Sequence, residues 1–182
     1  MFMRKLREFI RGLFEATDSD EPSFMIALRL GDKSLKRIIE YQDSIGASDM
    51  RNLDGGEIHA TIRYWNPKEG GDLDIIISEL ENIKFDNFEC ETNKVEVLGD
   101  SLSLMFDCPE IQNLYQKIDN ILQDNGVGPS KYSEFKPHIA LLYGEWKGNL
   151  PEIEPITLSF EVMNLVNDDD EVFWSLGARF AE

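Results

Sequence analysis

Histidine and basic residues are scarce in this chain. Its 182 residues include two histidines and 18 lysines and arginines, against 35 aspartates and glutamates, so the formal net charge is −17. Binding to the backbone of a long nucleic acid depends on clustered lysine and arginine. The charge therefore argues against long DNA or RNA as a partner, whereas a small nucleotide held in one local pocket remains compatible with it.

Cysteines and long apolar runs are also few. Cys90 and Cys108 stand alone, with no C-x-x-C pair, which favours reduced, partly buried thiols over a disulfide or a metal site. No uninterrupted apolar run approaches the roughly 20 residues that span a membrane. We therefore predict a cytoplasmic protein with no membrane partner, and the sequence leaves its oligomeric state open.

The apolar residues that are present suffice for one core. A chain of this length with a hydrophobic fraction of 42% is typical of a single globular domain. Apolar residues recur at helical spacing in three segments and alternate at strand spacing in others. The predicted helices are 35–45, for which Asp32 or Ser34 is the candidate cap, 71–83 and 109–122. The predicted strands are 23–30, 57–65, 88–90, 95–97, 102–106, 137–143, 156–166 and 172–180. Helices among antiparallel strands predict an α+β fold.

Residues 1–20 form a separate predicted segment. Apolar residues between Phe2 and Phe14 recur at helical spacing. Residues 1–15 are basic, with a net charge of +2, and the rest of the chain is acidic, with a net charge of −19. Two interpretations remain open. One is a helix packed on the domain formed by residues 21–182. The other is a detachable leader, because the segment resembles the short amphipathic leaders that direct proteins into the heads of T4-like phages, and residues 13–15 resemble their cleavage site.

The two histidines fall at equivalent positions of two similar segments. The segment 58–64 reads I-H-A-T-I-R-Y and the segment 137–143 reads P-H-I-A-L-L-Y. Side chains two apart on a strand point to the same face. We therefore expect His59, Thr61, Arg63 and Trp65 to share one face, and Tyr64 and Tyr143 to lie on the opposite, core face. Packing alone gives little reason for this repetition.

These residues resemble the 2H phosphoesterase superfamily, also called LigT-like, which carries two H-x-[T/S] motifs. The resemblance covers roughly residue 23 to the C-terminus. It implies two pseudo-symmetric lobes of antiparallel sheet around a central cleft, with helices outside and one histidine from each lobe. The second motif departs from the pattern, because Ala140 occupies the position of its hydroxyl residue. Members of this superfamily include cyclic phosphodiesterases, 2′-5′ oligoadenylate phosphodiesterases and phage nucleases that cut cyclic oligonucleotide signals of bacterial immunity.

Two imidazoles can supply both the base and the acid that phosphodiester cleavage needs, since the unperturbed pKa of histidine is near neutrality. We assign these roles to His59 and His138, and Thr61 is expected to donate a hydrogen bond to the phosphate. Arg63, Trp65 and Trp174 are further candidates for substrate contacts, with Trp65 placed to stack on a base. For Arg63 an exposed position at the strand end is an equal alternative, and for Trp174 a position in the core is the favoured interpretation. No carboxylates and histidines stand at ligand spacing, so we expect neither a metal nor another cofactor.

Three functional hypotheses follow. The first is a metal-independent phosphodiesterase of a cyclic or short oligonucleotide, in the cytoplasm of the host or in the virion if a phage encodes it. The second is a relative that binds and sequesters its nucleotide, because Ala140 lacks a hydroxyl and the loss of such a donor typically costs about 10²- to 10³-fold in rate. An alanine introduced to trap the substrate would have the same effect. A purely structural protein is the third hypothesis, and it leaves the paired histidines unexplained.

Overall fold

The computed structural model describes residues 24–46, 49–66, 70–132, 134–166 and 171–176, with the backbone alone for 171–175. The predicted leader or helix at residues 1–20 lies outside these ranges. Within them the elements are, in chain order, β1 Phe24–Leu30, α1 Asp32–Ile45, β2 Arg51–Asn52, β3 Ala60–Trp65, α2 Leu73–Glu81, β4 Phe88–Leu98, β5 Ser101–Asp107, α3 Pro109–Asp124, β6 His138–Tyr143, β7 Thr157–Val166 and β8 Glu171–Ser175. The predicted α+β class is confirmed.

The strands form one antiparallel sheet in the order β1-β3-β6-β5-β4-β7-β8, with β2 beside β6. Strand β7 also pairs with β1, so the sheet closes on itself. The two strands that carry the histidine motifs, β3 and β6, are joined by one backbone pair, Ala60 with Ile139. This seam therefore brings the two motifs side by side.

Both of these strands contain an extra residue at the same distance from the histidine. In β3, Thr61 and Arg63 pair with successive residues of β1, so Ile62 is extra. In β6, Ala140 and Leu142 pair with successive residues of β5, so Leu141 is extra. Such a bulge puts two residues of one strand against a single residue of its partner. The alternation of faces is thereby shifted by one residue beyond Ile62 and beyond Leu141.

The hairpin of β4 and β5 differs from the prediction in two ways. Residues 88–98 form one strand, and the expected break at Thr92-Asn93 is a bulge between Thr92 and Lys94. Cys90 and Cys108 are joined by a disulfide, which corrects the expectation of reduced thiols. The hairpin register explains the pairing: Glu91 lies opposite Asp107, and one step further the two cysteines face each other with their Cα atoms 5.6 Å apart.

The helices bind to the sheet through buried polar groups as well as apolar ones. On α1, the side-chain amide of Gln42 donates to the carbonyl groups of Leu53 and Leu141, and Ser34 donates to the carbonyl of Thr157. Gly31 is the N-cap of this helix, so Ser34 anchors it to β7 instead of capping it. No helix in the described ranges has the length and apolar character to cross a membrane.

Candidate active site

His59 and His138 lie at corresponding places on neighbouring strands. His138 is the first residue of β6, and His59 comes directly before β3. Because Ala60 pairs with Ile139, antiparallel register sets Thr61 beside His138 and His59 beside Ala140. Directly opposed side chains share a face of the sheet. The two histidines, Thr61 and Ala140 therefore form a four-cornered group on one face, and each of the four is half-buried.

The two imidazole rings are held by the same backbone contact. Nδ1–H of His59 donates to the carbonyl of Glu57 at 2.6 Å, and Nδ1–H of His138 donates to the carbonyl of Lys136 at 2.8 Å. A carbonyl oxygen can only accept, so each neutral ring carries its proton on Nδ1. Nε2 of each ring is then the atom with a lone pair for proton transfer.

Both histidines are neutral in the ligand-free protein at neutral pH. Burial, together with the positive charge of Arg29, lowers the pKa of His59 to about 3, and the neighbouring His138 contributes a smaller effect in the same direction. Burial also lowers the pKa of His138. An anionic phosphate placed between the rings would raise both pKa values, since an opposite charge favours the protonated imidazole.

Arg29 lies beside His59 at the candidate site, and the sequence analysis did not identify it. Leu28 pairs with Ala60, and one step further along β1 the register sets Arg29 opposite His59. Its guanidinium donates to the carbonyl of Gly56 at 2.8 Å, in the loop that leads to the histidine. The corresponding neighbour of His138 is Met105 on β5. The two histidines thus have matched backbone contacts and unlike neighbours, one cationic and one apolar.

Arg63 and Trp65 lie elsewhere than predicted, because the bulge at Ile62 reverses the face of the residues after it. Arg63 is 5% exposed, and its Nε contacts a carboxylate oxygen of Asp119 on α3 at 3.0 Å. Trp65 is 2% exposed and packs against Phe24 with ring centroids 5.2 Å apart. One side chain forms a buried ion pair and the other packs in the interior, and the register after the bulge sets both on the face opposite to His59.

Tyr64 and Tyr143 lie on the histidine face, not on the core face where they were predicted. Each is five residues after its histidine and is half-buried, not part of the fully buried core. The hydroxyl of Tyr64 lies 2.6 Å from that of Tyr132, which is itself exposed. The guanidinium of Arg51 lies 5.5 Å from the ring centre of Tyr143, and burial raises the pKa of Tyr143 to about 12. The shifted alternation after each bulge sets these rings on the histidine face.

The remaining candidates are placed only in part. The backbone of Trp174 pairs with Met163 on β7, and its side chain lies outside the described atoms. The hydroxyl of Thr61 is 3.6 Å from the sulfur of Met25, a weak contact that leaves it able to donate to a stronger acceptor. Among the described residues, no group of three or more His, Cys, Asp or Glu side chains is arranged to hold a metal ion.

Solved structures with the same fold include several phosphoesterases. LigT of E. coli complexed with 3′-AMP is 15% identical and aligns over 87% of this chain and 100% of its own, with a TM-score of 0.67. A structure described as a phosphoesterase is 14% identical over 86% and 99% of the two chains, with a TM-score of 0.65. The PDE domain of MHV ns2 is 15% identical over 80% and 99%, with a TM-score of 0.56. Similarity at this level shows a shared fold.

The family is shown by sequence. No curated protein matches the chain, but a family model described as the anti-CBASS protein Acb1 matches residues 23–172. That range contains both histidine motifs, the whole sheet up to β8 and all three described helices. This chain therefore belongs to the Acb1 family of anti-CBASS proteins, phage phosphodiesterases with a LigT-like 2H phosphoesterase fold that degrade cyclic oligonucleotide immune signals.

Proposed function

We propose that His59 and His138 cleave a 3′–5′ phosphodiester of a cyclic oligonucleotide by acid–base catalysis, without a metal ion. The observation that carries this proposal is the matched pair of Nδ1–H bonds to the carbonyl groups of Glu57 and Lys136. Each bond fixes the tautomer of its ring and directs the lone pair of Nε2 away from the backbone. Two such nitrogens on adjoining strands can act together on one phosphate.

The substrate would bind in a cleft between two lobes. One lobe consists of β3, β1, β7 and β8, and the other of β2, β6, β5 and β4. On one side the lobes meet at the single pair that joins β3 to β6, and on the other side four pairs join β4 to β7. The equal distance of each bulge from its histidine also supports an approximate two-fold relation between the lobes. Tyr64 and Tyr143 would stack on nucleobases, because aromatic rings accept bases without regard to sequence.

The reaction begins at the ribose hydroxyl next to the scissile phosphate. The base removes the 2′-hydroxyl proton while O2′ bonds to phosphorus and the bond from phosphorus to O5′ breaks. The acid donates its proton to the departing O5′. The products are a 2′,3′-cyclic phosphate and a 5′-hydroxyl. Water can then open the cyclic phosphate, with the two histidines exchanging the roles of acid and base. Thr61 would donate to a non-bridging oxygen, where negative charge accumulates.

Arg29 decides which histidine is the base. A cation beside His59 favours the neutral imidazole, which can accept a proton. His138 faces Met105 at the corresponding position, so an anionic phosphate can raise its pKa without opposition from a neighbouring guanidinium. We assign His59 as the base and His138 as the acid in the cleavage step.

A substrate with sulfur in place of the bridging O5′ tests this assignment. A thiolate leaves without protonation, so the acid becomes dispensable. On the normal cyclic dinucleotide, His59→Asn and His138→Asn should each lower kcat by about 10²- to 10⁴-fold. On the thio-substituted ring, His138→Asn should regain most of the wild-type rate, whereas His59→Asn should remain slow. The reverse pattern would overturn the assignment of acid and base.

Incubation in EDTA with cyclic di- and trinucleotides, 2′,3′-cyclic nucleotides and 2′-5′ oligoadenylates tests the chemistry and the substrate class. We expect cleavage of the cyclic oligonucleotides with the wild-type protein. Loss of activity in EDTA with recovery on metal addition would contradict a metal-independent reaction. Recovery of intact ligand after tight binding would instead favour a sequestering protein. We place the activity in the cytoplasm of the infected cell, where such signals act.

A further inference from the structure

We propose that Ser103 supplies the hydroxyl that the second histidine motif lacks at Ala140, and that it donates this hydroxyl to the phosphate of the substrate. The inference rests on the proposed function, because it concerns the same phosphate site. It assigns a substrate contact to a strand that carries neither motif. Ser103 lies on β5, between β4 and β6.

In the first motif the motif strand carries the hydroxyl and its neighbour carries an alanine, whereas in the second motif the motif strand carries the alanine and its neighbour carries the hydroxyl. In the first motif Thr61 on β3 lies directly opposite Ala27 on β1. In the second motif Ala140 on β6 lies directly opposite Ser103 on β5. Each pair thus contains one hydroxyl and one methyl side chain on a shared face. Opposed Cβ atoms are about 4.5–5.5 Å apart, so the hydroxyl of Ser103 is displaced by one strand from the expected position.

The residue directly opposite Ser103 on β6 is Ala140, whose side chain ends at a methyl group. Ser103 is 0% exposed, and its Oγ lies 2.9 Å from Oγ of Ser101. Ser101 donates its single proton to the carbonyl of Leu98 at 2.9 Å, so in the ligand-free protein Ser103 donates to Ser101. A turn to another staggered χ1 rotamer exchanges this neutral bond for a charge-assisted bond to a phosphate oxygen.

The charges on the far side of Ser103 are already balanced. Glu96 on β4 lies opposite Ser103, and its carboxylate contacts the ammonium group of Lys94 at 2.6 Å. The ion pair compensates the carboxylate that would otherwise repel a phosphate and compete for the serine proton. On its other side Ser103 faces Ala140, which lies beside His59 in the register of β3 and β6.

The test compares Ser103→Ala with Ser101→Ala as a matched control. Both variants remove the hydrogen bond between the two serines, but only Ser103→Ala removes the hydroxyl beside Ala140. We expect Ser103→Ala to lower kcat on a cyclic dinucleotide by about 10²-fold, as for other donors to a developing oxyanion. The kcat of Ser101→Ala should stay within about threefold of the wild-type value, because Ser101 does not donate to the phosphate. Their Tm values should fall by similar amounts.

The double variant Ser103→Ala/Ala140→Thr returns the hydroxyl to the strand that carries it in the first motif. We expect its kcat to be at least tenfold higher than that of Ser103→Ala, because the loss of one donor costs about 10²-fold. Equal rates for Ser103→Ala and Ser101→Ala, or no rescue by threonine at position 140, would overturn the proposal. A merely structural role for Ser103 predicts such equality.

A binding measurement separates this inference from the proposed function. An adenosine–vanadate complex imitates the five-coordinate phosphorus, and transition-state analogues bind through the contacts that matter for rate. Ser103→Ala should weaken its affinity at least tenfold more than Ser101→Ala, even if the histidine variants show that the acid–base assignment is wrong. Equal affinities of the two serine variants would overturn the role of Ser103 whatever the wild-type turnover is.

Discussion

At the scale of single residues, His59 and His138 are alike in their backbone bonds and differ in their neighbours. The positions opposite them hold Arg29 and Met105, and neither neighbour was visible in the sequence. The periodicity located the histidines, Thr61 and Ala140 because these lie within one short segment each. Arg29 and Ser103 were missed because cross-strand neighbours depend on the register of other strands, which no local pattern encodes.

The effect of Arg29 can be measured directly, since the protein has two histidines and hence two imidazole signals in a carbon–proton NMR spectrum. Arg29→Met copies the neighbour of His138, removes the positive charge and should raise the pKa of His59 above its value of about 3. The exposed Lys36→Met on α1 is the control and should leave both signals unchanged. An unaltered His59 titration in Arg29→Met would show that burial alone lowers its pKa.

At the scale of elements, the two bulges decide which side chains reach the histidine face. Strict alternation along β3 and β6 predicted Trp65 at the site and the two tyrosines in the core. The extra residues Ile62 and Leu141 reverse that assignment. A bulge leaves the apolar composition of a strand almost unchanged, so the sequence predicted that both strands exist but not where their alternation shifts.

Trp65 and Tyr64 should therefore respond differently to truncation. Trp65→Ala removes a buried ring packed on Phe24 and should lower the free energy of unfolding by about 3–5 kcal/mol, with KM nearly unchanged at temperatures where the variant is folded. Tyr64→Ala should cost little stability and raise KM by about 10-fold or more, since stacking of one base contributes about 1–3 kcal/mol. Denaturant titration and steady-state kinetics measure the two quantities. If Trp65→Ala raised KM and Tyr64→Ala lowered stability, strict alternation along β3 would be correct and Trp65 would lie on the histidine face.

At the scale of the whole molecule, the length, the composition and the paired motifs were enough to predict an α+β fold and a relationship to 2H phosphoesterases. The family match confirms that relationship and the expectation of a phage phosphodiesterase. The prediction of reduced thiols at Cys90 and Cys108 was wrong, because the proximity of the two cysteines follows from the register of β4 and β5. The acidic net charge of −17 agrees with a compact nucleotide as the ligand.

The buried imidazole of His59 should make stability depend on pH. Its folded-state pKa is about 3, whereas an unfolded histidine titrates near pH 6.5. Above that pH neither state binds the proton, and the stability is complete. As the pH falls from about 6.5 towards 3, the unfolded state binds a proton that the native state does not, so stability decreases by up to about 1.4 kcal/mol per pH unit.

Comparison with His59→Asn isolates this contribution from that of the carboxylates. Denaturant titrations of both proteins between pH 7 and pH 5 should show a shallower loss of stability for the variant. Parallel curves would mean that His59 titrates in the native state as it does in the unfolded state, which contradicts a pKa of about 3.

The near two-fold relation between the motifs has a consequence for strand polarity. A half-turn about the seam at Ala60 and Ile139 interchanges the two imidazoles, so in the proposed site a nucleotide bound in the reverse direction would meet the same pair of rings. It does not meet the same surroundings, because Arg29 changes places with Met105 and Thr61 with Ala140. In the proposed site, these few side chains would therefore determine in which of its two directions a cyclic oligonucleotide binds, because the backbone is nearly the same for both directions.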